Sequence, residues 1–427
     1  MEIKKLLIPA LISAAFTGCG GGSSSAPVQP AASETVDDVN STVMLKILQS
    51  SNPAITNAFG YKAVKITYPT TTPEGKEVNA SGILVIPEAT DDIKAKFGGF
   101  YPISLVVDNH GTIFLDEEAP SNVEKSDGIP NLPTAVLFTG AYGFATLLPD
   151  GLGYGVSKGN THPYIMKYSA KASEDMIKAA AKYLQDNNYT FTNDVYITGY
   201  SEGGYVAMAM SKEMQEENSS FNIKASAPMA GPYDIEKLAL YDLNDSNKMV
   251  FPAFLAFIAD SYSKIYDLSL DEAVVKPDVF KTYDLFGGDY NFTAIHYYLG
   301  LVDFETGDYG FYSHYPHDMF TQEFLTDFQT NPSNPFREKF VQNNIYAWTP
   351  KMPMNIINCV DDEIIFYPLA QEANATMHAL ADVNVTLTPI QTSEIPPKTD
   401  SQPFVHQRCA TTAYQKAAEF FQKVRGY

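Results

Sequence analysis

The sequence has few basic residues, few cysteines and no long apolar run. It carries 29 Lys and Arg against 50 Asp and Glu, which gives a formal net charge of −21. This balance opposes binding to nucleic acid or to anionic membrane surfaces, because like charges repel. The apolar run at residues 6–16 is interrupted by Pro9 and is too short to span a bilayer. Small neutral molecules are therefore the expected partners, and nucleic acid is not.

The sequence also lacks a dinucleotide fingerprint and a cluster of metal ligands. The glycines of residues 151–155, GLGYG, do not have the G-x-G-x-x-G spacing, and no helix is predicted directly after them. His314 and His317 lie close together in the sequence, but no third ligand follows at a suitable spacing. We therefore expect no cofactor and no metal ion.

The N-terminal residues have the pattern of an export signal. Lys4 and Lys5 precede the apolar run, and small residues follow it, so residues 1–18 are predicted to be a cleaved signal peptide. The segment FTGC at residues 16–19 resembles a bacterial lipobox, although Phe16 stands where Leu is commoner. This resemblance implies that Cys19 is lipidated and that residues 19–40 carry a flexible tether, rich in Gly and Ser. The protein would then be an exported lipoprotein, held on the outer membrane or cell surface through its lipid anchor.

The most informative stretch is residues 195–204, VYITGYSEGG. A β-branched run enters a G-x-S-x-G pentapeptide, and the residues that follow have helical spacing, so the pattern predicts a strand, a tight turn and a helix. Gly199 and Gly203 would let the strand and the helix approach closely, with Ser201 exposed at the turn. The alternative is a glycine-rich turn in which Ser201 only caps the helix.

The rest of the chain alternates strand and helix patterns. This alternation predicts an α/β fold with a mostly parallel central sheet and helices on both faces. The core is assigned to residues 41–234 and 349–427. Between them, residues 235–348 are rich in Tyr and Phe and lose the strand pattern, so we expect a mostly helical lid insertion there.

Three residues that suit nucleophilic catalysis follow predicted strands. A serine hydroxyl needs a histidine as base, and the histidine needs a carboxylate to orient it and to stabilise its charge. Ser201 is followed by the pair Asp361 and Asp362, and then by His406 in a loop before the last helix. Their agreement in placement and chain order favours catalysis over a structural role, while the choice between the two aspartates stays open at this point.

These motifs together resemble the α/β-hydrolases, specifically bacterial esterases and lipase-like proteins related to the fungal secretory lipases. The resemblance covers roughly residues 60–427, and its motifs are listed here with their positions: HGT at 110–112, PDGLGYG at 149–155, GYSEGG at 199–204, AGPYD at 230–234, and the DD and HQRC segments. It implies a serine hydrolase that cleaves small-molecule or lipid esters through a Ser-His-Asp triad and an acyl-enzyme.

The resemblance also implies roles for single residues. The acid of such families often lies in a G-x-x-D-x-x-V pattern, which residues 359–365 approximate, with Asp362 as the acid. The oxyanion hole would use the backbone N–H groups of Glu202 and Thr112. Glu202 stands where Gln is familiar in the family, which leaves its N–H unchanged but adds a carboxylate near the pocket.

Three alternatives to an esterase remain open. The same scaffold supports peptidases and acyl transferases, because the triad does not select the leaving group. The fold could also serve as a non-catalytic binding lipoprotein.

Cys359 and Cys409 are predicted to form a disulfide. Export places them in an oxidising compartment. Cys359 ends the strand before the acid and Cys409 lies about one helical turn after His406, so the two thiols should lie close together once the triad forms. The alternative is two separate buried thiols.

Overall fold

A computed structural model describes residues 32–122, 125–126, 129–130, 132–217, 219–271, 274–275, 284–302, 314–399 and 402–426. The predicted signal peptide, the lipidation site at Cys19 and most of the predicted tether therefore lie outside the described residues. In the described part of the chain, no helix combines the length and the hydropathy needed to cross a bilayer.

A nine-stranded sheet forms the centre of the molecule. Its strands are β1 (Ala32–Val39), β2 (Gly60–Thr71), β3 (Glu77–Glu88), β4 (Ile103–Asn109), β5 (Ala145–Pro149), β6 (Phe191–Tyr200), β7 (Asn222–Met229), β8 (Met354–Cys359) and β9 (Val385–Ile390). A separate two-stranded ladder pairs Lys125–Ser126 with Ile129–Pro130.

The order of the strands in the sheet is β1-β2-β3-β5-β4-β6-β7-β8-β9. The strands β5, β4, β6, β7, β8 and β9 run parallel to one another, whereas β1, β2 and β3 form an antiparallel edge, and β3 pairs antiparallel with β5. Because β4, β6 and β8 are parallel, their carboxyl ends meet at the same edge of the sheet, where ligands of open α/β sheets bind.

Helices cover both faces of the sheet. They are α1 (Ser41–Ser51), α2 (Asp91–Ala95), α3 (Ala170–Asp186), α4 (Glu202–Glu216), α5 (Ile235–Asp242), α6 (Pro252–Tyr266), α7 (Phe292–Tyr298), α8 (Pro316–Met319), α9 (Gln322–Thr330), α10 (Pro335–Gln342), α11 (Tyr367–Leu380) and α12 (Val405–Arg425). The short helical turn Pro133–Ala135 continues into a π-helical turn at Val136–Ala141.

Alternation of side chains along the strands separates the core into two layers. In β6, Val195 and Ile197 belong to the cluster that includes buried residues of α3, α4 and α11, whereas Tyr196 belongs to the cluster built with α12. In β4, Val106 likewise lies on the α12 side. Since side chains of a strand point alternately to its two faces, an unbroken apolar run is what a strand covered on both faces requires.

Two boundaries differ from the sequence-based expectation. Residues 32–39, which we expected to belong to the tether, form β1 and pair with β2, so they are not part of a flexible tether. His406, which we expected in a loop, lies in the first turn of α12, which begins at Val405. The polar residues at its start hid this turn, because apolar periodicity begins only further along the helix.

The segment that begins with α5 and includes α10 follows β7 and precedes β8 in the chain. Its described residues form six helices joined by loops, and buried side chains such as Phe257, Phe324 and Phe340 join the core cluster of the α3 and α4 face. We call residues 235–348 the cap segment.

The disulfide between Cys359 and Cys409 is present in the structure. It links the end of β8 to α12, with the two Cα atoms 6.1 Å apart and both cysteines fully buried. It therefore joins the strand that precedes Asp362 to the helix that carries His406.

Glu174 on α3 is a buried acid without a full set of partners. The residue is only 4% exposed, and its Oε1 atom is buried without a hydrogen-bond partner. Burial, and then the negative charges of Glu213 and Glu217, raise the pKa of Glu174 to about 8. Between its ordinary pKa of 4.5 and that value, the folded protein keeps a proton that the unfolded chain releases.

Glu174→Gln should therefore remove a pH-dependent loss of stability. The stabilisation that the protonated Glu174 adds to the free energy of unfolding is fully present below about pH 4.5. It is lost as the pH rises towards 8, by at most about 1.4 kcal/mol per pH unit. Urea unfolding should find the variant more stable than the parent at about pH 8 and close to it at about pH 4.5. The exposed control Glu216→Gln should show neither effect; equal pH dependence of Glu174→Gln and the parent would contradict the assignment.

Candidate active site

Ser201 lies at the sharp turn between β6 and α4. Its backbone angles are φ 61° and ψ −121°, a conformation that non-glycine residues rarely adopt. The Ser201 N–H donates to the Met229 carbonyl at 3.0 Å, which ties the turn to the end of β7. The strained turn lifts the serine hydroxyl clear of the sheet.

The two glycines of the pentapeptide are required by close backbone contacts. A Cβ atom at Gly199 would collide with the carbonyl oxygen of Gly203, and a Cβ atom at Gly203 would collide with that of Asn109. These contacts are the close approach of strand and helix that the sequence predicts.

A chain of hydrogen bonds connects Ser201, His406 and Asp362. The Nε2 atom of His406 lies 2.9 Å from Ser201 Oγ, and its Nδ1 atom lies 2.8 Å from Asp362 Oδ2. The backbone N–H groups of Ile364 and Ile365 donate to Asp362 Oδ1 at 3.0 and 2.9 Å. The structure thus brings the three predicted residues together, with the imidazole between the hydroxyl and the carboxylate.

Asp361 does not contact His406. It is exposed, and its carboxylate accepts a hydrogen bond from the Thr392 hydroxyl. Since Asp361 and Asp362 are consecutive, the turn after β8 directs their side chains to different sides, and Asp362 is the one next to the imidazole.

Glu363 binds the first turn of α12, the helix that carries His406, a role that sequence reasoning missed. Its carboxylate accepts hydrogen bonds from the N–H groups of Val405 and His406 at 2.8 and 3.1 Å. These are N–H groups of the first turn of α12, which have no partner within the helix and lie at its positive end. Glu363 therefore positions His406 from the same turn that carries Asp362.

Tyr200 also contacts His406, through a hydrogen bond and through its ring. Its hydroxyl donates to the His406 carbonyl at 2.7 Å, and the two rings lie 5.0 Å apart. Burial, followed by the charges of Asp362 and Glu363, keeps the pKa of Tyr200 well above its usual range, so the hydroxyl retains the proton that it donates.

The carboxylate of Glu202 binds His162 rather than entering the pocket freely. His162 Nδ1 donates to the Leu152 carbonyl at 2.7 Å, and Nε2 lies 2.5 Å from Glu202 Oε1. Both residues are buried. A proton must lie between Nε2 and Oε1, because otherwise two lone pairs would face each other. This pair, 40 residues apart in sequence, anchors the residue that follows Ser201.

The two predicted oxyanion residues lie beside Ser201. Thr112 and Glu202 line the same cavity as Ser201, and the Thr112 hydroxyl is 2.8 Å from that of Tyr164. Glu202 is the first residue of α4, a position whose N–H has no intrahelical acceptor. Their roles as oxyanion donors stay a prediction.

The cavity next to Ser201, counted together with the open solvent at its mouth, has a volume of about 550 Å³. Its lining joins the ends of the sheet strands to the cap segment and comprises Thr112, Tyr164, Ile165, Ser201, Glu202, Pro232, Leu238, Asp242, Val250, Phe254, Leu255, Ile258, Glu363, Ile364 and Ile365. This lining is mainly apolar with a few polar groups, which is typical of sites for small organic molecules.

The histidines of the cap segment have protein partners. His314 lies 3.2 Å from an Asp318 oxygen, and His317 lies 2.5 Å from one of Asp245. Among the residues that the structure describes, no group of three or more potential ligands is placed to hold a metal ion.

Comparison with known proteins identifies the fold. No protein-family model and no curated protein sequence matches the chain. The structure is similar to that of the rice cell wall degrading esterase LipA from Xanthomonas oryzae, with a TM-score of 0.76 and 24% identity over 91% of this chain and 96% of that one. It is also similar to Candida antarctica lipase A, with a TM-score of 0.56 and 15% identity over 85% and 77% of the two chains.

These likenesses confirm the predicted fold. The chain has the α/β-hydrolase fold, with a mostly parallel sheet between two layers of helices.

Ser201→Gly should stabilise the protein relative to Ser201→Ala. Glycine adopts a positive φ without steric cost, whereas alanine keeps the strain of the turn, which is worth roughly 1–3 kcal/mol. Part of this gain is offset because glycine is freer in the unfolded chain, so we expect a difference of about 1 kcal/mol. Both variants lack the hydroxyl, and urea unfolding compares them directly. A less stable glycine variant would mean that the turn is unstrained.

Proposed function

We propose that this protein is a serine hydrolase that cleaves carboxylic esters through an acyl-enzyme. The observation that carries the proposal is the hydrogen-bonded chain from Ser201 through His406 to Asp362, at the wall of a mainly apolar cavity. The similar folds named above include an esterase and a lipase, which supports ester cleavage.

In the first half of the reaction, Ser201 Oγ attacks the ester carbonyl while His406 Nε2 accepts the hydroxyl proton. The carbonyl oxygen becomes an oxyanion, which the N–H groups of Glu202 and Thr112 are proposed to bind. When the intermediate collapses, the bond to the alcohol oxygen breaks, and His406 returns the proton to that oxygen. The alcohol leaves, and the acyl group remains on Ser201.

In the second half, a water molecule replaces the alcohol. His406 accepts a proton from the water while the water oxygen attacks the acyl carbonyl. When this second intermediate collapses, the proton passes to Ser201 Oγ and the carboxylic acid leaves. Asp362 keeps its charge throughout: it orients the ring through Nδ1–H and stabilises the imidazolium that forms in each half.

The cap segment is proposed to be a lid that limits the size of the substrate. Six residues of the cavity wall belong to it: Leu238, Asp242, Val250, Phe254, Leu255 and Ile258. Export and lipidation at Cys19 remain proposals that rest on the N-terminal sequence.

A fluorophosphonate probe and a panel of graded 4-nitrophenyl esters test the function together. The probe should label Ser201, and the esters should be hydrolysed faster than aminoacyl anilides, which report peptidase activity. Ser201→Ala and His406→Ala should each lower kcat by several orders of magnitude, because the triad acts as a unit. Labelling without ester turnover would favour a peptidase or acyl transferase. The absence of both labelling and turnover would favour a binding protein.

Asp362→Asn should lower kcat far more than Asp361→Asn. An amide at position 362 cannot stabilise the imidazolium and favours the wrong tautomer of His406, whereas the Asp361 carboxylate is bonded to the Thr392 hydroxyl and not to the imidazole. Steady-state kinetics on one ester, with the melting temperature as a check on folding, compares this matched pair. A larger loss in Asp361→Asn would move the acid by one residue.

A further inference from the structure

A second cavity adjoins the one beside Ser201. It has a volume of about 460 Å³ when the open solvent at its edge is included, and it is lined mostly by apolar side chains of the cap segment, among them Phe324, Phe336 and Phe340. Four residues line both cavities: Leu238, Asp242, Leu255 and Ile258. A substrate chain that extends from the first cavity into the second must pass these four residues, of which only Asp242 can carry a charge.

The position of Asp242 disfavours the charged form of its carboxylate. It is the last residue of α5, where the helix carbonyls give a partial negative charge that repels a carboxylate. The residue lies deep within the protein yet keeps part of its surface accessible, because that surface faces the cavities. In the described part of the chain, no donor or cation bonds to its carboxylate, and burial alone raises its pKa to about 7.

The other charged groups around the cavities are already engaged. Glu202 binds His162, and Glu363 accepts from the N–H groups of α12. Among the described residues that line the two cavities, none is lysine, arginine or histidine. The lining of the cavities therefore offers three acidic side chains and no lysine, arginine or histidine, and among the described residues only the Asp242 carboxylate of these three has no protein partner.

We propose that Asp242 is a specificity-determining residue that makes the site prefer esters whose chain carries a positive charge over neutral chains of the same shape, and that disfavours chains carrying a carboxylate. This proposal rests on the proposed ester hydrolysis and names the class of substrate. A cation beside Asp242 supplies the missing partner of a desolvated carboxylate, where charge interactions are stronger than in water. The net charge of −21 adds to the attraction.

The preference should increase with pH. Below its pKa of about 7 Asp242 is neutral, and above it the carboxylate is charged. The other titratable groups on the walls are Glu202, Glu363 and Tyr164, and burial holds the pKa of Tyr164 well above its usual range. Titration of the triad affects two substrates of the same shape equally, so it cancels in the ratio of their rates.

The kinetic test uses 4-nitrophenyl esters of ω-trimethylammonio alkanoic acids of graded length, each beside its tert-butyl isostere, in which carbon replaces nitrogen. At one chain length the parent should favour the cationic ester in kcat/KM, by about tenfold at about pH 8 and less at about pH 6. Asp242→Asn and Asp242→Leu should remove this preference. The control Asp382→Asn, which deletes an exposed acid, should retain it.

A binding test separates this proposal from the proposed function. Calorimetry on Ser201→Ala, with and without Asp242→Asn, gives the dissociation constants of both esters without turnover. A tenfold preference that depends on Asp242 supports the proposal even if neither ester is hydrolysed. Equal affinities at every chain length, or a preference that survives Asp242→Asn in a protein with an unchanged melting temperature, would overturn it.

Discussion

The close approach of α4 to the sheet is the constraint on which the rest of the site depends. Gly203 and Gly204 press against the carbonyl oxygens of Asn109 and Met229, so the helix begins directly above the ends of β4 and β7. At this strand-to-helix turn Ser201 has a positive φ, and its side chain lines the cavity that the cap segment helps to form. The cost of the turn, roughly 1–3 kcal/mol, is sustained by the surrounding sheet, which leaves the residue no alternative conformation.

The turn after β8 collects several functions in three consecutive residues. Asp361 faces solvent, Asp362 orients the imidazole, and Glu363 fixes the helix on which the imidazole lies. One turn therefore determines both the position and the charge environment of His406. The disulfide at Cys359 and Cys409 joins the same two elements, so hydrogen bonds and a covalent bond act on one geometry.

Much of this arrangement was predictable where the signal is local in the chain. The pentapeptide around Ser201 encodes its own turn, and parallel topology brings the ends of the strands before Ser201 and Asp362 to the same edge of the sheet. The structure adds what depends on contacts between distant segments. Glu363 accepts hydrogen bonds from two residues that lie 42 and 43 positions further along the sequence. His162 and Glu202, which contact each other, are 40 positions apart. An isolated acid or histidine has no sequence pattern that would reveal such partners, and β1 escaped notice because its pairing depends on β2.

The bridge between Cys359 and Cys409 also closes the chain into a covalent ring with a sequence separation of 50 residues. Both Asp362 and His406 belong to that ring. A single protease cut anywhere within it, for example in the loop that follows β9, would open the ring but leave both flanking pieces covalently attached. This topology means that one nick need not release either residue from the molecule, which would matter for the exported protein that the N-terminal sequence predicts.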